Sequence, residues 1–201
     1  QHNWAVTAWS KHGANDSTPV DLTRWYASAY ALRHCQPFDL VVMTHGIHSM
    51  IGITEYTPEQ ISTVLQTNLV SCIALTHHLV ALQKLNPGVL LIYCSSIQAN
   101  TPRAERGLYA VSKAGVEALA KTVAQELTLG QRAVALRFGS FTTPMNHEIP
   151  VEPGDGYLTS RCLVARLDPT EIAKFCLQLY QHKSITGCVI DYDAGMGRNI
   201  W

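Results

Sequence analysis

Tyr109 and Lys113, in the run Tyr109-Ala-Val-Ser-Lys113, stand four residues apart, the spacing that puts two side chains one turn apart on one helix face. A phenol keeps its proton at neutral pH, its unperturbed pKa being about 10, and a neighbouring ammonium favours the phenolate. Such a pair can give or take a proton near neutrality. Helix surfaces carry Tyr and Lys at this spacing by chance, so the pair alone assigns nothing. Ser95 and Ser96 close an apolar run, with Ser96 13 residues ahead of Tyr109. A hydroxyl at the carboxyl end of a parallel strand faces the crevice where open α/β sheets bind ligands. Asn68 sits inside a helical pattern, Leu65-Gln-Thr-Asn-Leu-Val70, where Asn is unfavourable without a partner. Together the four read as a proton-handling cluster beside a ligand.

Other chemistries have weaker claims. The six cysteines, Cys35, Cys72, Cys94, Cys162, Cys176 and Cys188, include no C-x-x-C pair and read as reduced core thiols. Among nine histidines, His77 and His78 are adjacent and no H-E-x-x-H occurs, so no metal site is expected. Fifteen basic and fifteen acidic residues cancel, which argues against nucleic acid and against a polybasic membrane anchor. No apolar run approaches the roughly 20 residues of a membrane span, and no signal-peptide pattern opens the chain. A cytoplasmic location and no membrane partner are the expectations. With 201 residues, 47% of them hydrophobic and 15% charged, the chain can bury one substantial core, and residues 1–201 are expected to form one domain.

The elements that position these residues follow from periodicity. Trp4 to Ser10 reads as a strand, Val20 to Thr23 as a very short one, and Arg24 to Cys35 as a helix. Phe38 to Met43 is almost wholly apolar, the sort of run buried on both faces of a parallel sheet. Thr57-Pro58-Glu59-Gln60 is a capping box and opens a helix to about Lys84. Val89 to Cys94 is the next buried strand. A helix runs from Leu108 to Leu129, closed by Gly130, then a strand from Arg132 to Phe138. Phe141 to Leu167 has no period and reads as a functional flap. Asp168 caps a last helix to about His182, and Gly187 to Tyr192 is the final strand. Alternating helices and apolar strands define an α/β fold, a doubly wound parallel sheet of Rossmann-like type.

In this order the motifs resemble the short-chain dehydrogenase/reductase family over nearly the whole chain. Phe38-Asp-Leu-Val-Val-Met-Thr-His-Gly-Ile47 is similar to its strand and Asn-Asn-Ala-Gly turn, with Met43-Thr44-His45-Gly46 in the place of the turn. Asn68 matches the helix asparagine of its catalytic tetrad, and Ser96, in Ile92-Tyr-Cys-Ser-Ser-Ile97, its serine. Gly107 to Leu119 resembles its Tyr/Lys helix, Phe138-Gly139-Ser-Phe-Thr-Thr143 its Pro-Gly-x-x-x-Thr, and Asp193-Ala194-Gly195 its Asp-Gly-Gly turn. The resemblance implies roles. Tyr109 is the general acid in carbonyl reduction and the base in alcohol oxidation. Lys113 binds the nicotinamide ribose and lowers the Tyr109 pKa. Ser96 hydrogen-bonds the substrate oxygen, and Asn68 holds a water that relays protons towards Lys113. Gly139, Phe141 and Thr143 receive the cofactor carboxamide and phosphate. Thr44, His45 and Gly46 lie near its ribose.

The family's Gly-rich turn, whose glycines admit the pyrophosphate to a helix N-terminus, is absent from the sequence. Trp4 to Ser10 is either the first strand with a degraded turn at Trp9 to Gly13, or the second strand with Val20 to Thr23 as the third. The second reading is preferred, because no helical pattern follows Gly13. It leaves a slot about 10 Å wide, since neighbouring strands lie about 4.8 Å apart. It also leads to the expectation that roughly 20–25 residues, a strand and most of a helix, precede Gln1 in the natural chain. The chain on its own should then bind dinucleotide poorly. Ser10 and Lys11 end the second strand without an acidic residue, which favours NADP(H) over NAD(H). Asp21 and Leu22 would flank the adenine. His48, and His147 and Glu148 in the flap, are further candidates for ligand contact.

These residues point to an NADP(H)-dependent oxidoreductase that interconverts a small-molecule carbonyl and a secondary alcohol. The competing reading is a non-catalytic, dehydrogenase-like binding or scaffold protein that has lost dinucleotide binding. The resemblance also implies a homodimer or homotetramer through the helices containing Asn68 and Tyr109.

Overall fold

The structure, a computed structural model, describes residues 4–13, 16–128, 130–139 and 167–197. Four parallel strands, β3 (Phe38–Met43), β4 (Leu85–Ser96), β5 (Arg132–Phe138) and β6 (Val189–Tyr192), lie side by side in that order. The pleat divides β4 between two cores. Val89, Leu91 and Tyr93 face one cluster with Leu75, Leu79, Val116 and Ala120. Leu90 and Ile92 face the other, with Cys176 and Leu179. A strand that is apolar at every position is one that buries both faces, and the helices on both faces make the sheet doubly wound. On β5 the residues towards the first cluster are Ala133 and Ala135. Their small size lets the neighbouring helix approach the sheet closely.

That helix is α4 (Gly107–Glu126), which packs on β4 and β5. Before it, Pro58–Ala81 is one continuous 24-residue helix, formed by α2 (Pro58–Leu65), a π turn (Gln66–Val70) and α3 (Ser71–Ala81). The Thr57–Gln60 capping box is present on both sides: the Thr57 hydroxyl accepts from Gln60 N and Gln60 Oε1 accepts from Thr57 N. Contrary to the sequence-based expectation, this helix is long and apolar enough to cross a bilayer, but half of its most apolar stretch is buried inside the protein. The last helix, α5 (Pro169–Gln181), is capped by Asp168. The Arg132 guanidinium donates to the carbonyls of Leu179, Tyr180, His182 and Ile185, which satisfies acceptors that a helix C-terminus leaves open.

The amino-terminal third departs from the expected pattern. Only Trp9–Ser10 (β1) is strand, and its partner is Thr18–Pro19 (β2), not Val20 to Thr23. Residues 21–23 form a turn instead, because the Asp21 carboxylate accepts from the Thr23 amide and hydroxyl at 3.1 and 2.6 Å. Trp4 to Ala8 have strand-forming side chains but no ladder neighbour among the described residues. Helix α1 (Trp25–Leu32) is shorter than expected. Among the described residues β1–β2 and β3–β6 are separate sheets. Between them lies a groove of about 140 Å³ lined by Thr7, Trp9, Leu22, Val41, Val42, Met43, Thr44 and His45, among others.

Candidate active site

The site is built where α4 meets the carboxyl end of β4. The pleat sends Ser95 and Ser96 to opposite sides of that strand. Ser95 is buried, and its hydroxyl donates to Glu117 Oε1 at 2.7 Å. Ser96 is half-buried, and its Oγ accepts from Gln98 N at 3.3 Å. Lys113 is 5% exposed. Its Nζ donates to the Cys94 carbonyl at 2.8 Å and lies 5.8 Å from the centroid of the Tyr109 ring. The amine, the phenol and the strand-end hydroxyl therefore occupy one end of the sheet. Among the described residues no hydrogen bond joins the Tyr109 hydroxyl to Ser96 or Lys113, and no carboxylate lies within 4 Å of Lys113.

Asn68 occupies the π turn and is fully buried. Its Oδ1 accepts from Ile47 N at 2.7 Å, and its two Nδ2 protons go to Ile47 O at 2.9 Å and Ser112 Oγ at 3.0 Å. The amide thereby clamps the turn after β3 to α4. Such single π turns are frequent at functional sites. Gly46 lies in that clamp: a Cβ there would meet Asn68 Oδ1 at 3.2 Å and Lys113 Nζ at 3.4 Å. His45 is fixed in one tautomer. The Ser71 hydroxyl spends its proton on Thr67 O at 2.6 Å, so it accepts from His45 Nε2 at 2.7 Å, leaving Nδ1 as an acceptor. Burial, then the charge of Lys113, lowers the His45 pKa to about 4. The Cys72 and Cys94 thiols are pushed up to about 11 and about 12 by burial, which keeps them protonated and inert.

Two groups in this neighbourhood escaped the sequence reading. Glu117 is 7% exposed and accepts from Arg137 Nε at 2.9 Å and Nη2 at 2.8 Å, while Arg137 Nη1 also reaches Asp191 at 2.7 Å. This network ties α4 to β4, β5 and β6. Its signal was legible: a Glu on the apolar face of one element and an Arg inside an apolar strand have to meet. The other group is Arg106. Its guanidinium donates to the His48 imidazole, 2.9 Å from Nδ1, and the His48 ring packs on Tyr109 with centroids 4.9 Å apart.

The remaining expected cofactor residues are spread more widely. Leu22, Thr44 and His45 line the groove beside β3. Ser10 ends β1, where its hydroxyl is 2.6 Å from that of Ser17, and Lys11 is exposed just beyond. Asp21 is engaged with Thr23 and, at 3.7 Å, with Arg24. Gly139 follows β5 where a Cβ would meet Asp193 O at 2.8 Å, so only glycine fits. Phe141 and Thr143, with His147, Glu148 and the flap as far as residue 166, lie outside the described residues.

A parallel sheet with helices on both faces, and a Tyr/Lys helix docked at the strand ends, is a Rossmann-like arrangement. The chain belongs to the short-chain dehydrogenase/reductase family: residues 13–197 match the family model described as enoyl-(acyl carrier protein) reductase. It is 35% identical over 100 residues to the human dehydrogenase/reductase SDR family member 2, mitochondrial, covering 49% of this chain and 35% of that one. It is 28% identical over 163 residues to the acetoacetyl-CoA reductase of Shinella zoogloeoides, covering 79% and 68%. The chain spans less than half the length of two curated relatives, 35% of the human protein and 44% of the vibriobactin-specific 2,3-dihydro-2,3-dihydroxybenzoate dehydrogenase of Vibrio cholerae. Among solved structures, a putative gluconate dehydrogenase from Agrobacterium tumefaciens shares the fold with a TM-score of 0.82 at 23% identity, over 94% of this chain and 79% of that one. A small-chain dehydrogenase in complex with NADPH does so with a TM-score of 0.79 at 21% identity, over 89% and 82%.

The residues present fit a nicotinamide ribose. Lys113 is a buried ammonium whose hydrogen bond to Cys94 O uses one of three N–H groups. The missing side chain of Gly46 lets Asn68 Oδ1 and Lys113 Nζ sit close against the turn after β3, and two N–H groups of the ammonium are left for ribose hydroxyls.

Proposed function

We propose that the protein is an NADP(H)-dependent oxidoreductase that interconverts a small-molecule carbonyl and a secondary alcohol. The observation that carries this reading is the seat of Lys113, held by the Cys94 carbonyl two residues before Ser96 and one helical turn from Tyr109. The nicotinamide, when bound, supplies the hydride chemistry. Tyr109 gives its hydroxyl proton to the carbonyl oxygen in reduction and takes it back in oxidation. Lys113 stands one helical turn from the phenol, and its N–H groups not bound to Cys94 O would hold the ribose. The Ser96 hydroxyl donates to the substrate oxygen, where negative charge develops. Both Nδ2 protons of Asn68 are spent, so a water relaying protons towards Lys113 donates to an acceptor there. The absence of an acid at Ser10-Lys11 supports NADP(H), as does the NADPH bound to one structural neighbour. Exposed Ile73 and Val80, seven residues apart on α3, and Val111 on α4 support self-association through these helices. A cytoplasmic location is part of the same proposal.

The test is NADPH oxidation with a panel of carbonyl compounds, beside equilibrium binding of NADPH and NADH. Wild type should turn over at least one carbonyl and bind NADPH more tightly. Tyr109→Phe should keep NADPH binding and lose at least 100-fold in kcat, a loss in the range of general acid–base catalysis. Turnover that Tyr109→Phe leaves unchanged would overturn this reading.

A further inference from the structure

Arg106 is the residue immediately before α4 and stands three positions before Tyr109, so the two side chains leave the helix about one turn apart. Its guanidinium rests on His48, and His48 rests on Tyr109, with ring planes 33° apart. The three groups form a continuous wall on one side of the phenol. The Arg106 charge in that wall has no ion pair among the described residues and is offset only at longer range, by the Glu105 carboxylate next to it in the chain. Burial first, and the charge of Arg106 second, lower the His48 pKa to about 4, so near pH 7 the imidazole is neutral and serves Arg106 as an acceptor without cancelling its charge. Half-buried Arg137 and buried Arg132 are engaged elsewhere in the protein. Arg137 meets two carboxylates and Arg132 meets four main-chain carbonyls. Among the described residues no carboxylate lies within 4 Å of Arg106. A guanidinium has five donors in a planar fork, and those not facing His48 remain available beside the proposed proton donor.

We propose that Arg106, positioned by His48, binds a carboxylate on the substrate, so that the compound reduced at Tyr109 is a short-chain oxo acid. The inference rests on the oxidoreductase reading and narrows its substrate class. A planar fork matches a carboxylate bidentately and a neutral amide poorly. The contacts from Arg106 to His48 and from His48 to Tyr109, whose rings lie 4.9 Å apart, keep the guanidinium near the phenol, so the carboxylate and the reacting carbonyl belong to one short molecule. A long acyl chain between the two groups would not fit this spacing.

The probes are 3-hydroxybutanoate, as an unreactive product analogue in the presence of NADPH, and its neutral amide. Binding is followed through the His48 ring resonances, assigned with His48→Gln, and KM and kcat are measured in parallel with 3-oxobutanoate and a neutral ketone of equal length. Wild type should bind the carboxylate at least tenfold more tightly than the amide. Arg106→Gln should abolish that preference and raise KM for the oxo acid at least tenfold, with a much smaller change for the ketone. Arg106→Lys, which keeps the charge without the fork, should retain part of both. Equal binding of acid and amide by wild type would overturn the proposal, as would a preference that survives in a folded Arg106→Gln. The two readings fail differently. Turnover of neutral ketones with no response to Arg106 removes the carboxylate site and leaves the oxidoreductase. Loss of all turnover in wild type, with the binding preference intact, removes the oxidoreductase reading and with it the word substrate, leaving an anion site that the titration supports.

Discussion

Replacing Glu117 by Gln removes one charge from the network beneath α4 without opening a cavity, because the two side chains have nearly the same shape. The wild-type carboxylate takes three donors: the Ser95 hydroxyl, Arg137 Nε and Arg137 Nη2, all within 2.9 Å. In Glu117→Gln one oxygen becomes an amide nitrogen, which sets a donor against a donor. Removing one partner of a buried ion pair costs about 3–5 kcal/mol. Arg137 keeps Asp191, whose side chain is 59% exposed, and exposed pairs of this kind contribute about 0.2–1 kcal/mol. The expected loss is therefore about 2–4 kcal/mol, slightly below the full figure. For a chain of this size that lowers Tm by about 5–15 °C. Urea unfolding at pH 7, followed by circular dichroism and tryptophan fluorescence, reads the change through the midpoint at constant slope. The double variant Glu117→Gln/Arg137→Met removes both charges and should recover much of the loss, giving a positive coupling in the cycle. A single-variant loss below about 0.5 kcal/mol, or strict additivity in the cycle, would refute the claim that this buried pair holds α4 in place.

Three other outcomes follow from the same geometry. Asn68→Ala deletes three hydrogen bonds and strands the Ile47 amide and carbonyl, so stability should fall by about 2–3 kcal/mol in the same unfolding assay. Ala194 has φ of +54°, a conformation that costs side-chain-bearing residues strain; Ala194→Gly should raise stability by about 0.5–1 kcal/mol, read as a higher Tm. His45 and His48 have pKa values lowered to about 4 in the folded state, against about 6.5 unfolded. Between those values the unfolded chain binds more protons, so stability is complete above about pH 6.5 and drains away as the pH falls towards 4. Urea midpoints measured from pH 7.5 to 4.5 should decline across that window, and His45→Gln should flatten the decline.

The parts of the fold that could be read from sequence were those where burial dictates residue type. Phe38–Met43 and Arg132–Phe138 run from first residue to last as expected, because most of their positions pack into one core cluster or the other, while Asp39 is exposed and Arg132 and Arg137 are hydrogen-bonded. Trp4 to Ala8 failed for the opposite reason. Aromatic and branched side chains express a preference for extended backbone, but a strand exists only with a ladder partner, and here the partner is two residues long. The extra residue in the π turn at Gln66–Val70 leaves no trace in a pattern whose period hardly changes. Tyr109, Lys113, Ser96 and Asn68 stand out in the sequence because each has a context local to a helix or a strand end. The Arg106–His48 contact joins positions 58 residues apart, and nothing in either neighbourhood names the other.

The outer rim of β3 carries one more implication. Its peptide groups on the side away from β4 meet no strand among the described residues, and Val42 on that strand is 37% exposed. An uncovered ladder of this kind is a template for any extended polypeptide that drifts past. An extended segment that entered the groove between β1 and β3 would pair with these groups and join the two sheets into one.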